Sequence, residues 1–349
     1  MKRLLLPFSW IYQSVTRFRN HLYDIGIKKS VRFDGLFTIG VGNLSMGGTG
    51  KTPATEYLIR LLKQNYKVAV LSRGYGRETK GLRLLKNTDV AETAGDEPVQ
   101  LFRKFGDEIH VVVSEDRVLA IPALLNEVSH ADVVILDDAF QHRRINPDLS
   151  ILLTKFDAPF FKDFIFPAGW LRESRIGAKR ADVVLVTKCP GTLESHEIES
   201  YSIRIKKYAG QIPVFFTRYG YQPPVPFGKA KSICANIILV TGIAHSDFLK
   251  RQCMTDYRVV RHLKFSDHHN YTILDIQRII GYLSDHQTSL LTTEKDMIRL
   301  TRFSQHSEIT DYPWFYLPVE IEFLHGGNEF NQLIKAKVEE KISSIETRE

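Results

Sequence analysis

The sequence predicts an α/β fold: a mainly parallel sheet flanked by helices, followed by a second, smaller α/β unit. Three observations point there. Short β-branched apolar runs recur with helical patterns between them, a glycine-rich turn joins the first run to a helical pattern, and a proline-, glycine- and lysine-rich stretch interrupts the series.

The runs are Phe37 to Val41, Val68 to Leu71, Ile109 to Val113, Val133 to Leu136, Ile151 to Leu153 and Val183 to Val186. Val214 to Thr217 follows, the stretch Tyr221 to Lys231 breaks the alternation, and a new series opens with Ile237 to Val240. An amphipathic helix near Ile273 to Leu283, strands at Leu290 to Thr292 and Trp314 to Val319, and a charged final helix past Asn328 complete the second unit. The divisions that follow are a basic segment at 1–33, a larger unit at 34–222 and a smaller one at 223–349. A chain of 349 residues with 43% hydrophobic composition can fill two cores. Cys189, Cys234 and Cys253 lie far apart, which supports neither a disulfide framework nor a cysteine zinc site and fits a reducing compartment.

Charge is concentrated at the N-terminus. Residues 1–33 hold Lys2, Arg3, Arg17, Arg19, Lys28, Lys29 and Arg32 against Asp24 alone, most of the formal net charge of +7. Between these cations lie Leu4, Leu5, Leu6, Phe8, Trp10, Ile11, Tyr12, Val15 and Phe18. Pro7 and the charges keep this set short of the ~20 apolar residues of a spanning helix. It reads as a surface that rests on a bilayer, held reversibly by inserted rings and by attraction to anionic lipid. A core-packing helix with a solvated basic face is the alternative. A nucleic-acid arm fits poorly because the interleaved residues are of the lipid-entering kind, and a secretory signal fits poorly because no small-residue cleavage site follows.

The strongest chemical signal is the run Ser45, Met46, Gly47, Gly48, Thr49, Gly50, Lys51, Thr52 and Pro53, between the first expected strand and a helical pattern. Glycines let successive backbone N–H groups turn toward one anion. Lys51 adds charge at the outer phosphates, the Thr52 hydroxyl can hold Mg2+, and the helix that starts there offers its positive end. Pro53 suits a first helical turn, where its missing N–H would be unpaired anyway. Ser45 stands where the strict pattern has its first glycine, and Gly47 and Gly48 partly compensate. The fold is therefore of P-loop NTPase type and the ligand a nucleoside triphosphate. An acidic partner follows in Ala131 to His142, ADVVILDDAFQH, where Asp137 and Asp138 end an apolar strand and offer oxygen ligands to Mg2+. An Asp-Asp turn capping a helix is the competing reading, and the pattern leaves His142 undecided.

Five further clusters look purposeful. LSRGYGR (71–77) leaves a strand with Arg73, Tyr75 and Arg77; AGDEP (94–98) sets Asp96 and Glu97 on a turn; PAGWLRE (167–173) offers Arg172 and Glu173. FSDHHNYT (265–272) joins Asp267 with His268 and His269, and TTEKD (292–296) follows a strand. The cations Lys51, Arg73, Arg77 and Arg172 favour an acidic substrate. Taken jointly, GGTGKTP, SRGYGR, GDEP, LDDxFQH, PAGxLRE, TGIA at Thr241, DHHxYT and TTEKD occur in the order seen in the lipid A 4'-kinase family, tetraacyldisaccharide 4'-kinase. The chain resembles that family over nearly its whole length, its N-terminal segment included. Ala139 replaces a common glycine and Ser246 a usual proline, departures that touch loop geometry and remove no chemical group.

The resemblance implies transfer of the γ-phosphoryl group of ATP, with Mg2+, to the 4'-hydroxyl of a tetraacylated disaccharide 1-phosphate, giving lipid IVA. It implies a peripheral enzyme on the cytoplasmic face of the inner membrane, with a glycolipid substrate and no obligatory protein partner. Carried over by position, Asp96 with His268 looks like the proton-accepting pair, and Lys51 and Asp138 complete the catalytic set. Thr52, Asp137, Asp138 and Glu173 fall to the metal, and Tyr75, Arg73 and Arg172 to the substrate. The residues themselves leave open which of Asp96 and His268 takes the proton. Without a third close ligand, His268 and His269 do not suggest a metal site.

Two other classes compete. A switch or metal-delivery NTPase would couple hydrolysis to a partner, but Met46 stands where a second P-loop lysine would be. TKCP (187–190) also lacks the aspartate of an N-K-x-D guanine reader. A scaffold with a vestigial nucleotide site would have lost its acidic residues, and they are present.

Overall fold

The computed structural model describes residues 2–128, 130–244, 246–283 and 287–347. Eight strands come first: β1 Phe37–Asn43, β2 Val68–Ser72, β3 Arg83–Leu84, β4 His110–Val113, β5 Val133–Leu136, β6 Leu149–Lys155, β7 Val183–Thr187 and β8 Val214–Tyr221. Then β9 Val225–Pro226, β10 Asn236–Thr241, β11 Arg258–Lys264, β12 Thr288–Thr293 and β13 Trp314–Leu317 build a second sheet, and β14 Val319–His325 follows. The large sheet runs β14-β8-β7-β6-β1-β5-β2-β4-β3 and the small one β11-β10-β12-β13-β9. Within the large sheet only the outer pairs, β3 on β4 and β14 on β8, are antiparallel.

Helices cover both faces of the large sheet, and this is why its central strands read as unbroken apolar runs: β1, β2, β5 and β7 are buried at every residue. On one face Ile39, Val70, Ile135 and Leu185 meet Leu58 and Ile59 from the helix Lys51–Leu62. On the other, Leu71, Val112 and Val134 meet Ile121 and Leu124 from the helix Arg117–Glu127, while Val184 and Val186 pack near Ile205.

The C-terminal region departs from the expected division. The run Trp314 to Val319 is two strands in different sheets, parted at Pro318, whose missing N–H cannot extend a ladder. β13 lies parallel to β12, whereas β14 returns to pair with β8. The helix Gly327–Glu346 then sets Phe330, Ile334 and Val338, spaced four apart, into the core of the large sheet. The residues of 223–349 thus do not form one unit: the last strand and helix belong to the larger one.

The helix Leu6–Asp24 packs the reverse of a core helix. Its small polar side is buried, at Ser9 and Thr16, while Phe8, Trp10, Ile11, Val15 and Phe18 stand 62% to 65% exposed. Ser9 Oγ donates to the Ile165 carbonyl at 2.9 Å and accepts from the Ala168 N–H at 3.0 Å. Tyr12 donates to the Arg172 carbonyl at 3.1 Å. The alternative of a core-packing helix with a solvated basic face does not describe it. Among the described residues no helix is long and apolar enough to cross a membrane.

Because Phe330 is fully buried in the large core, Phe330→Ala should lower stability by ~3–5 kcal/mol. Urea unfolding followed by circular dichroism measures this. A loss near zero would mean that the last helix does not share the core.

Candidate active site

β1 delivers the phosphate loop. Gly47 and Gly50 take φ of +92° and +86°, a backbone that side chains rarely adopt, so the loop curls before the helix starting at Lys51. Asn43 Nδ2 donates to Thr49 Oγ1 at 2.6 Å, and Thr187 Oγ1, at the end of β7, donates to the Thr49 carbonyl at 2.8 Å. The Met46 N–H donates to the Trp170 carbonyl, and Ser45 bridges to Leu171, so the PAGWLRE segment walls the loop.

β5 ends at the acidic pair. Arg117 donates to the backbone carbonyls of both Asp137 and Asp138, holding the turn in which Asp138 sits at φ +45°. Arg172 Nη1 lies 3.0 Å from each carboxylate oxygen of Asp138, and Lys51 Nζ lies 3.7 Å from Oδ1. Asp137 turns inward. Its Oδ2 accepts from Ser72 Oγ at 3.4 Å, and its Oδ1 is buried with no hydrogen-bond partner among the described residues. Burial, with the charge of Glu97 adding to it, pushes the Asp137 carboxyl up to about 6.

Asp96 and Glu97, expected on a turn, occupy the first turn of the helix Asp96–Phe105, entered through Gly95 at φ +94°. Carboxylates there meet the unpaired N–H groups of a helix start, which is why a turn-like sequence continues as helix. Thr52 Oγ1 donates to Glu97 Oε1 at 3.1 Å, and Lys295 from the second unit donates to that same oxygen. The Lys295 charge outweighs burial and holds Glu97 at about 2.

The second unit brings the remaining groups. Arg299 donates to Asp96 Oδ2 from Nε at 2.8 Å and from Nη2 at 2.6 Å. His268 Nδ1 lies 3.4 Å from Asp96 Oδ2 and 3.1 Å from Arg299 Nη2. Burial opposes ionisation of Asp96, but hydrogen bonds from His268 and Arg299 prevail and hold it at about 2. The same contact with Asp96 raises His268 above 6.5. His268 adopts φ +57°, and its ring meets that of Tyr75 edge-on at 6.3 Å.

The arrangement thus gathers Lys51, Thr52, Asp137 and Asp138 around the loop and joins Asp96 to His268, with Tyr75 at the mouth. Arg73 is exposed beyond β2. Glu173 is placed otherwise than a metal ligand would be. Its carboxylate accepts from Arg180 at 2.7 and 3.1 Å, Asn20 at 2.6 Å and Gln141 at 3.1 Å, so its lone pairs are taken. Among the described residues no three His, Cys, Asp or Glu side chains converge on a metal position. The orphan Asp137 oxygen and the Thr52 hydroxyl instead suit a hard cation whose remaining ligands are phosphate oxygens and water.

A family model for tetraacyldisaccharide-1-P 4'-kinase (LpxK) matches residues 1–339. The chain belongs to the tetraacyldisaccharide 4'-kinase family. The tetraacyldisaccharide 4'-kinase of Bacteroides thetaiotaomicron is 42% identical over 368 residues, covering 99% of this chain and 96% of that protein. That of Cytophaga hutchinsonii is 36% identical over 355 residues, with 99% and 98% covered. The apo form of LpxK from Aquifex aeolicus in complex with ATP superposes with a TM-score of 0.74 at 29% identity, covering 97% of this chain and 99% of that one.

For a tetraacyldisaccharide 4'-kinase chain, the residues that motif reading passed over are Glu97, Arg117, Lys295 and Arg299. Glu97 and Lys295 lie inside GDEP and TTEKD, so their motifs flagged them without a role. Arg299 carries a weaker signal: it falls one helical turn after Lys295 and Asp296.

Removing the Asp96 carboxylate removes the hydrogen bond that favours protonated His268. In Asp96→Asn the His268 titration midpoint, read by NMR, should therefore fall toward its ordinary ~6.5. A midpoint equal to wild type would show that the two side chains are not coupled.

Proposed function

We propose that the chain transfers the γ-phosphoryl group of ATP, with Mg2+, to the 4'-hydroxyl of a tetraacyldisaccharide 1-phosphate, through the residues gathered at the phosphate loop. The observation that supports the assignment of roles is the Asp96–His268 contact. It joins a histidine of the second unit to a carboxylate whose neighbour, Glu97, accepts from Thr52 of the phosphate loop, and so supports reading the pair as the proton acceptor.

The loop N–H groups and Lys51 would hold the outer phosphates, and Thr52 and Asp137 would hold Mg2+, whose charge would offset that of the phosphates. Thr52 must then exchange Glu97 for the metal. Arg172 and Lys51 flank the Asp138 carboxylate beside the loop. The sugar hydroxyl enters at the mouth between Tyr75 and His268. Asp96, held at about 2, is a weak acceptor at neutral pH, whereas His268 is raised toward it. With Nδ1–H donated to Asp96, the free Nε2 takes the hydroxyl proton, and Asp96, itself held by Arg299, orients the ring. Glu173 acts by position: it ties Asn20 of the N-terminal helix to Arg180 and Gln141.

The exposed face of the helix Leu6–Asp24 continues into Phe164, Phe166, Trp170 and Ile176, each at least 41% exposed. Tyr12 and Phe166 touch edge-on at 6.0 Å across the join. An apolar patch of this kind, rimmed by cations, supports docking on the cytoplasmic leaflet. The patch adjoins Arg172 through Tyr12, so acyl chains can stay in lipid while the sugar reaches the loop.

Incubation with γ-labelled Mg-ATP and tetraacyldisaccharide 1-phosphate in detergent should label the lipid, and Lys51→Ala should abolish it. Hydrolysis of ATP without labelled lipid would sink the reading. His268→Ala and Asp96→Ala should each lower kcat by about 10² to 10⁴. Replacing Trp10 and Phe18 together by Ser should weaken binding to anionic vesicles by about tenfold and leave ATP binding unchanged. Unaltered vesicle binding would remove the helix from the docking surface.

A further inference from the structure

We infer that Lys188 grips the nucleoside end of ATP, its ammonium donating to oxygens of the ribose. The inference rests on the phosphate loop as the ATP site and assigns the part of that site that the catalytic residues leave open.

Lys188 follows β7 in the stretch TKCP, which lacks the aspartate of a guanine reader. Among the described residues it is one of three non-glycine residues with positive φ, at +58°; the other two, Asp138 and His268, both belong to the site. A backbone held in that region marks a position whose side chain is aimed at a cost. The aim is the loop: a Cβ added to Gly48 would lie 3.9 Å from Lys188 Nζ. Among the described residues the ammonium makes no ion pair, and it sits 5.3 Å from the centroid of the Tyr219 ring. The Tyr219 hydroxyl in turn would stand 3.2 Å from a Cβ on Gly50. Burial and the charge of Lys155 push Lys188 down to about 8. A partly buried cation in such surroundings gains from a ligand rich in oxygen.

Sheet order decides which end of the nucleotide it meets. β5 and β2 lie on one side of β1, and Asp137, Asp138, Ser72 and the turn carrying Arg73 and Tyr75 stand at their ends. The acceptor pair joins on that side through Asp96, so the transferred phosphate points there. β6 and β7 lie on the other side of β1, and Lys188 follows β7. A triphosphate threaded through the loop toward Asp137 therefore trails its ribose and base across β6 and β7. This crossing, where the chain leaves the central strand in both directions, is where parallel sheets place their ligands.

The test is calorimetric titration of the full-length protein in detergent with ADP, ATP and inorganic tripolyphosphate. Lys188→Met should weaken ADP and ATP by roughly ten- to a hundredfold, the scale of a charge-assisted hydrogen bond, and leave tripolyphosphate within about twofold. Lys188→Arg should recover most of the loss. Equal weakening for tripolyphosphate, or no change for ADP, would overturn the inference. A second measurement uses the unmodified protein: acylation of Lys188, followed by peptide mass spectrometry, should be blocked by ADP and not by tripolyphosphate. Labelling that ADP leaves unchanged would overturn the inference even if the Met variant does not fold. If the wild-type protein binds no ATP, the nucleotide site itself fails. If it binds ATP as tightly with Met at 188, this inference alone fails.

Discussion

A seam of opposite charges between two helices holds the site together. Along it Lys104 meets Glu294, Glu97 meets Lys295 and Asp96 meets Arg299, and just beyond the two helices Glu92 meets Arg302. Lys104 also reaches Glu56, a fully buried carboxylate on the phosphate-loop helix, whose carboxyl burial pushes up. Such pairs add little net stability, since removing charges from water costs about as much as their attraction returns. What they fix is register. A helix held by three staggered ion pairs cannot slide by a turn without leaving several charges unmatched, so Arg299 meets Asp96, and with it His268, in one position.

The seam also joins the chemistry to the arrangement of the two units. Glu97 accepts from Thr52 and Lys295 on one oxygen, so the residue expected to hold Mg2+ and a cation of the second unit share an acceptor. Nucleotide and metal would compete for both donors.

The N-terminal helix shows how a local pattern is given meaning by its neighbours. An amphipathic sequence predicts that one face is buried, and in a folded core the apolar face goes inward. Here Glu173 binds Asn20, and the backbone around Ile165 and Ala168 binds Ser9, so the polar face is occupied. The apolar face is left outside by the hydrogen bonds that hold the other.

The sequence by itself determined the central strands of both sheets, the phosphate loop and the acidic pair, because each depends on residues close together in the chain. β-branched runs buried on both faces, glycines at positive φ and a carboxylate pair ending a strand leave local signatures. Only the tertiary structure decided which of these meet. Asp96 and Arg299 are 203 residues apart, and Glu97 and Lys295 are 198 apart. β14 joined the first sheet across the whole second unit because β8 offered an open edge. Glu173, legible as an active-site acid, was claimed by an arginine seven residues on that its motif does not include. Local pattern states what a residue needs, a buried face or an opposite charge. Which group supplies it is settled by packing across the whole chain.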